Sequence, residues 1–223
     1  TDNRTHRTIL AAVNPIVGGA GGMPHRDGTN GSGADGAYLK NTPVEITEAE
    51  VPIQILRYGL LPDSGGPGRW RGGLATALDF RVFAPNTRIT ARNRDRSTFR
   101  PWGILGGKSG QPSDFIRNPD TTREVRLGNT DTVTLDPGDV IHIHSPGGGG
   151  RGSPLDRPPA QVLLDVRLGY VSAAAASAEY GVVIRDGVVD AAATEARRAN
   201  LRHQETGAHF AFGPERDAHE ALW

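Results

Sequence analysis

With no cysteine in the sequence, thiol catalysis, disulfides and Fe–S clusters are excluded, and histidines, arginines and acids are the first side chains to weigh for chemistry. His142 and His144 stand two apart in Asp139-Val140-Ile141-His142-Ile143-His144, an alternating run that reads as a strand. Strand geometry puts both imidazoles on one face, as two metal ligands would be. A zinc site needs at least three protein ligands and no third is evident, so a solvated strand face is preferred and the pair is kept as a secondary metal candidate. His25, Asp27 and Asp35 are types that bind a hard cation, but their irregular spacing favours a polar loop. Arg92, Arg94 and Arg96 alternate as on a strand, with Arg100 behind them. Arginine forks grip carboxylate or phosphate bidentately. A charged edge or subunit interface with Asp95 as partner explains the same residues, and both readings stay open.

Glycine supplies two further candidates. Gly106-Gly107-Lys108-Ser109-Gly110 has the composition of a phosphate loop, but Trp102 stands where its first glycine belongs and Gly103 comes one position late, so it reads as a turn. After His144 the chain runs into Ser145-Pro146-Gly147-Gly148-Gly149-Gly150-Arg151-Gly152. Gly147, Gly148 and Gly149 could present N–H groups to an anionic intermediate, as backbone nests do. Four glycines in a row forfeit much conformational entropy, so a fold keeps them where a Cβ cannot fit; close crossing of two chain segments is the preferred use. Thr1 has the chemistry of an N-terminal nucleophile, but no base stands near it in the sequence.

The elements that must position these groups are short. Strands are predicted over residues 9–13, 53–58, 77–83, 87–91, 114–118, 122–127, 132–135 and 140–144, with 77–83 and 87–91 forming a hairpin about Pro85-Asn86. Residues 18–36 read as a long ordered loop. Past Gly152 the pattern becomes helical. Residues 160–169 follow Pro158-Pro159, residues 173–180 are capped by Ser172 and stopped by Gly181, and residues 191–204 are capped by Asp190. A small hairpin turns at Arg185-Asp186-Gly187. The expected class is α+β, mainly β: an antiparallel barrel- or sandwich-like body rich in Gly/Pro loops over residues 1–152, with a small helical cap over 153–223.

At 223 residues the chain can bury a sizeable core. Twenty-five basic residues balance twenty-five acidic ones, so there is no overall field to attract nucleic acid or an anionic membrane. No apolar run approaches the roughly 20 residues that span a bilayer, and the polar start is no signal peptide. Absence of cysteine fits a cytoplasmic setting.

Several long phrases occur in one order: Asn41-Thr42-Pro43-Val44-Glu45-Ile46-Thr47-Glu48, Tyr58-Gly59-Leu60-Leu61-Pro62-Asp63-Ser64-Gly65-Gly66-Pro67-Gly68-Arg69-Trp70-Arg71-Gly72-Gly73, Pro101-Trp102-Gly103-Ile104-Leu105-Gly106-Gly107-Lys108, the glycine run to Leu155, and Phe212-Gly213-Pro214-Glu215-Arg216. Together they closely resemble the C-terminal part of the hydantoinase B/oxoprolinase family, which includes the B-type chain of N-methylhydantoinase, 5-oxoprolinase, caprolactamase and the acetone and acetophenone carboxylases. The resemblance implies an ATP-dependent complex. A hydantoinase A-type partner phosphorylates an activated carbonyl or carboxylate, and the B-type subunit completes the chemistry at a divalent metal. It also implies that the metal-binding region lies in an N-terminal part with no counterpart here, so that this chain binds neither ATP nor metal alone. The expected substrates are cyclic amides such as hydantoin, N-methylhydantoin, oxoproline or a lactam, with a ketone carboxylase or a non-catalytic assembly module as the alternatives. On that expectation Arg92, Arg94, Arg100 and the backbone of residues 147–149 would meet substrate or an acyl-phosphate intermediate.

Overall fold

The computed structural model of the chain describes residues 8–10, 16–31, 42–91, 96–203 and 207–222. In chain order the elements are α1 (Val44–Glu50), β1 (Ile53–Leu60), β2 (Thr76–Val82), β3 (Thr87–Thr90), β4 (Gly103–Ile104), β5 (Asp114–Arg117), β6 (Val125–Arg126), β7 (Thr132–Leu135), β8 (Val140–His144), α2 (Pro159–Arg167), α3 (Ala173–Tyr180), β9 (Ile184–Arg185), β10 (Val188–Val189), α4 (Ala191–Arg202), β11 (Phe210–Ala211) and α5 (Pro214–Glu220). Five strands form an open antiparallel sheet in the order β1-β2-β8-β5-β6. Its outer strands, β1 and β6, do not pair, so the body is not a closed barrel.

The alternation along β8 sorts its side chains to two faces. Phe80 opposes Ile141, while Leu78 and Phe115 oppose Ile143. These apolar residues join Ile53, Val82 and Leu135 in the main core, with Ile89 and Val133 of the β3–β7 pair packed against them. Each fully buried Leu, Ile or Phe stabilises the fold by about 1.5–3 kcal/mol. On the other face Asp79 opposes His142, and Ala77 and Asp114 oppose His144.

The turn into β8 is held by Asp139, whose side chain is fully buried. Its carboxylate accepts from Asn118 Nδ2 at 2.8 Å, the Asp136 N–H at 2.9 Å and Arg117 Nη2 at 2.5 Å. Burial alone would raise the Asp139 pKa, but these hydrogen bonds and the Arg117 charge outweigh it and hold it below the usual carboxylate range.

Three sequence expectations change. The hairpin of β2 with β3 does not form, because β1 and β8 occupy both edges of β2 and β3 pairs with β7 instead. Residues 9 and 10 lie outside any strand, and residues 11–13 of that expected strand lie outside the described residues. α1 was not foreseen; Pro43 preceding it and Glu45 in its first turn were the available signals.

Beyond residue 152, local sequence sets the helix ends. Ser172 Oγ accepts from Ala175 N–H at the start of α3, Gly181 ends it at φ 63°, and Asp190 Oδ1 accepts from Ala193 N–H at the start of α4. Val162, Val171, Ala176, Tyr180 and Val182 form a second core under these helices. The chain then returns to the body, where β11 pairs with β4. No helix among the described residues is long and apolar enough to cross a membrane.

Between the sheet and the helices lies the glycine run. Residues 147–150 are buried, and none has a left-handed φ. Their requirement for glycine is spatial: a Cβ would stand 1.8 Å from Ser64 O at Gly147, 1.9 Å from Ala20 O at Gly148, 1.8 Å from Trp102 O at Gly149 and 2.1 Å from Pro67 O at Gly150. In a sheet a strand has two neighbours, and its side chains project into the gap above and below. Here backbone occupies those directions too, from segments 18–22, 64–68, 70–74 and 101–110. Gly148 N–H donates to Gly73 O at 2.9 Å while its own carbonyl accepts from Gly66 N–H at 2.7 Å. Gly149 O accepts from Gly22 N–H, Gly150 N–H donates to Lys108 O, and Gly150 O accepts from Ile104 N–H. Glycine at the crowded axis of collagen obeys the same constraint.

Gly148→Ala is therefore expected to destabilise the chain by about 3 kcal/mol or more, at or above the upper end of ordinary overpacking. Gly59→Ala, where a Cβ meets nothing within 4 Å, should stay within about 0.5 kcal/mol of the parent. Denaturant midpoints of the two variants decide this, and equal midpoints would contradict it.

Candidate functional site

The densest polar cluster joins segments far apart in sequence. Arg157, buried at the entrance to α2, donates from Nη1 and Nη2 to the two oxygens of Asp27 at 2.7 Å each, and from Nε to Asp165 Oδ2 at 3.0 Å. Asp27 Oδ1 also accepts the Arg71 N–H at 2.7 Å. The Arg71 guanidinium donates to Gly72 O, stands 5.2 Å from the Tyr170 ring centre, and lies 3.8 Å through Nε from Asp165 Oδ1. Burial works against the Arg157 charge, yet the Asp27 hydrogen bonds and the two acids win and raise its pKa. Burial pushes Asp165 up from the carboxylate range and the Tyr180 hydroxyl up from the phenol range, the nearby arginines opposing both shifts. Two arginines against two aspartates leave the cluster neutral, so it ties the loop at Asp27 and the glycine segments to α2.

Two clefts open between the glycine segments and the helices, sharing Lys108 and Glu179. The larger, about 520 Å³, has largely apolar walls that include Leu105, Pro154, Leu155, Ala178 and Leu201. The smaller, about 310 Å³, includes Asp63, Arg100, Ser109, Gln111 and Tyr180. Lys108 Nζ donates to Glu179 Oε2 at 2.6 Å, and Arg100 Nε lies 2.7 and 2.9 Å from the oxygens of Glu215. Both cations thus hold carboxylates of this chain, and the clefts offer a ligand apolar wall, hydroxyl and amide groups, two ion pairs and the Asp63 carboxylate, which accepts the Ser172 N–H.

The sequence candidates are dispersed over this framework. Arg92, Arg94 and Asp35 lie outside the described residues. Arg96 has φ 59°, not a strand conformation, and its guanidinium stands 4.7 Å from the Trp102 ring centre. Asp27 holds arginines, and His25 meets Trp70 edge-on. In the loop at residues 106–110, Gly107 N–H donates to Ile104 O, Lys108 N–H to Pro67 O and Gly110 N–H to Pro101 O. Gly147 N–H donates to Gln111 O and Gly148 N–H to Gly73 O, so these donors face backbone. His142 Nδ1 lies 2.5 Å from Asp79 Oδ1, and His144 Nδ1 lies 3.0 Å from Ser145 O. Burial holds the His144 pKa below the usual imidazole value. No group of three or more His, Cys, Asp or Glu among the described residues could hold a metal ion.

Sequence reading missed the Asp27–Arg157–Asp165–Arg71 cluster. Asp27 and Arg157 are 130 positions apart, and no local pattern pairs them.

The family model for hydantoinase B/oxoprolinase matches residues 1–154. This chain belongs to the hydantoinase B/oxoprolinase family. Among its relatives, the beta chain of the caprolactamase of Pseudomonas jessenii is 34% identical over 88% of this chain and 35% of its own length. The B chain of a putative D-/L-hydantoinase of Pseudomonas sp. strain NS671 is 32% identical over 77% of this chain and 29% of its own. Among solved structures, a nucleotide-free acetone carboxylase superposes with a TM-score of 0.70 at 25% identity, covering 84% of this chain and 30% of that one. The chain thus spans about a third or less of the family members it matches.

In this family member the buried charge cluster should behave as one unit. Removing one partner of a buried ion pair typically costs about 3–5 kcal/mol. Arg157→Met is expected to fall in that range, and Arg157→Met combined with Asp27→Asn should cost less than the sum of the single variants. Urea unfolding of the three variants measures the coupling; strict additivity would refute it.

Proposed function

We propose that this chain is the C-terminal part of a B-type subunit in an ATP-dependent complex that opens cyclic amides such as hydantoin, N-methylhydantoin, oxoproline or a lactam. The observation that carries the reading is its 34% identity to the beta chain of a caprolactamase across 88% of its length. On this reading the nucleotide belongs to a hydantoinase A-type partner, and the divalent metal to the N-terminal part of the B-type polypeptide. When bound, that metal supplies Lewis-acid activation of water. The residues in hand contribute a backbone scaffold, the cleft walls and a docking surface, with Arg92, Arg94 and Arg100 as its candidates for meeting a carboxylate or phosphate. The body to residue 152 and the helical region beyond it are taken as scaffold and cap.

A ketone carboxylase is the second reading, favoured by the TM-score of 0.70 with acetone carboxylase. A purely structural assembly module is the third.

Reconstitution of the chain with an A-type partner and the N-terminal B-type part separates the hydrolase from the carboxylase, and assay of the chain alone tests the module. Ring opening coupled to ATP hydrolysis, absent when this chain is left out, is the expected result. Bicarbonate-dependent consumption of a ketone would transfer the assignment to the carboxylases. Amide hydrolysis by this chain alone would overturn the division of labour.

A further inference from the structure

On the face of β8 turned from the core, His142 and His144 are each held through one ring nitrogen. His144 Nδ1 lies 3.0 Å from the Ser145 carbonyl, which can only accept, so Nδ1 carries the proton and Nε2 the lone pair. The Asp79 carboxylate, 2.5 Å from His142 Nδ1, imposes the same tautomer on the neutral ring. The two Nε2 atoms bond to no other described residue. His142 is partly exposed and His144 is 9% exposed, and neither Nε2 is among the fully buried polar atoms of the described residues that lack a partner.

Histidines that bind metals have this outer arrangement: the second ring nitrogen donates to a carboxylate or a backbone carbonyl, which fixes tautomer and ring plane. Their separation also fits. The ring centroids are 5.3 Å apart. Two imidazoles whose nitrogens each lie about 2.0–2.1 Å from one tetrahedral zinc ion have centroids roughly 5.2 Å apart. Asp79 opposes Arg57 across the strands and Asp114 is paired with Arg126, while the exposed Arg81, on the same side of β2 as Asp79, adds a third base to this face.

We infer that His142 and His144 form a two-histidine chelate for a late first-row divalent ion such as Zn²⁺, oriented by Asp79 and the Ser145 carbonyl. No third His, Cys, Asp or Glu completes a group among the described residues, so the remaining positions of a tetrahedral ion are left to water or to a further ligand. Imidazole donors select zinc, copper or nickel over calcium and magnesium. The inference rests on the geometry of β8 and stands apart from the proposed reaction.

Calorimetric titration of the full 223-residue chain with Zn²⁺ tests it, with Co²⁺ as the optical probe. One saturable equivalent is expected, lost in both His142→Ala and His144→Ala. Asp79→Asn should weaken it by about 10–100-fold, with an unchanged unfolding curve. His209→Ala, remote from β8, should leave it unaltered. Histidine-ring NMR of the unsubstituted chain gives a readout that no folding defect can confound: Zn²⁺ must shift the Nε2 resonances of His142 and His144 together. Absence of saturable binding, binding that survives both histidine variants, or shifts confined to other histidines would each overturn the inference.

Discussion

Four consecutive residues in this protein have no room for a Cβ, and the rest of the fold is arranged around that fact. Residues 147–150 run through a bundle of other backbones whose carbonyl oxygens stand where side chains would be. The constraint is reciprocal: a Cβ on Gly72 would lie 1.9 Å from Gly148 O, and one on Gly66 2.3 Å from Lys108 O. Polar backbone buried this deeply must be hydrogen-bonded, and here most of the bonds run to loop segments, with Ile104 of the short strand β4 as the exception. Core strength in this region comes from backbone pairing where a typical domain would use interlocking side chains.

That arrangement explains why the neighbouring chemistry is spread out. β8 delivers the chain into the bundle, and Ser145 marks the crossing: its Oγ donates to Val17 O and accepts from the Thr76 N–H. Arg157 then secures the exit by gripping Asp27 and Asp165. The clefts lie where helix residues such as Ala178, Glu179 and Leu201 meet the loop at residues 105–111. A scaffold of this kind suits a polypeptide that completes an active centre shared with others.

Legibility from sequence followed the range of the interaction. The strand at 140–144 and the capped helices after 172 and 190 each depend on near neighbours, and each could be read. Glycine at 147–150 announced close approach, although which segments approached could not be known from one run alone. The β2–β3 hairpin failed because strand partners are chosen by competition: β8, some sixty residues downstream, takes the edge of β2 that adjacency would assign to β3. The ion cluster escaped notice for a related reason, since Asp27, Arg71, Arg157 and Asp165 meet only once the glycine segments have crossed. Family phrases supplied what periodicity could not, because the ordered glycine and proline words record the bundle as a whole.

Residue-resolved amide hydrogen exchange on the native chain tests the claim about the bundle most directly. If residues 147–150 are the buried backbone axis, the amides of Gly147, Gly148 and Gly150 will exchange only with global unfolding, as slowly as those of Leu78 and Ile141 in the sheet. Exchange of these glycines at the rate of the exposed turn at Gly187 would contradict the account.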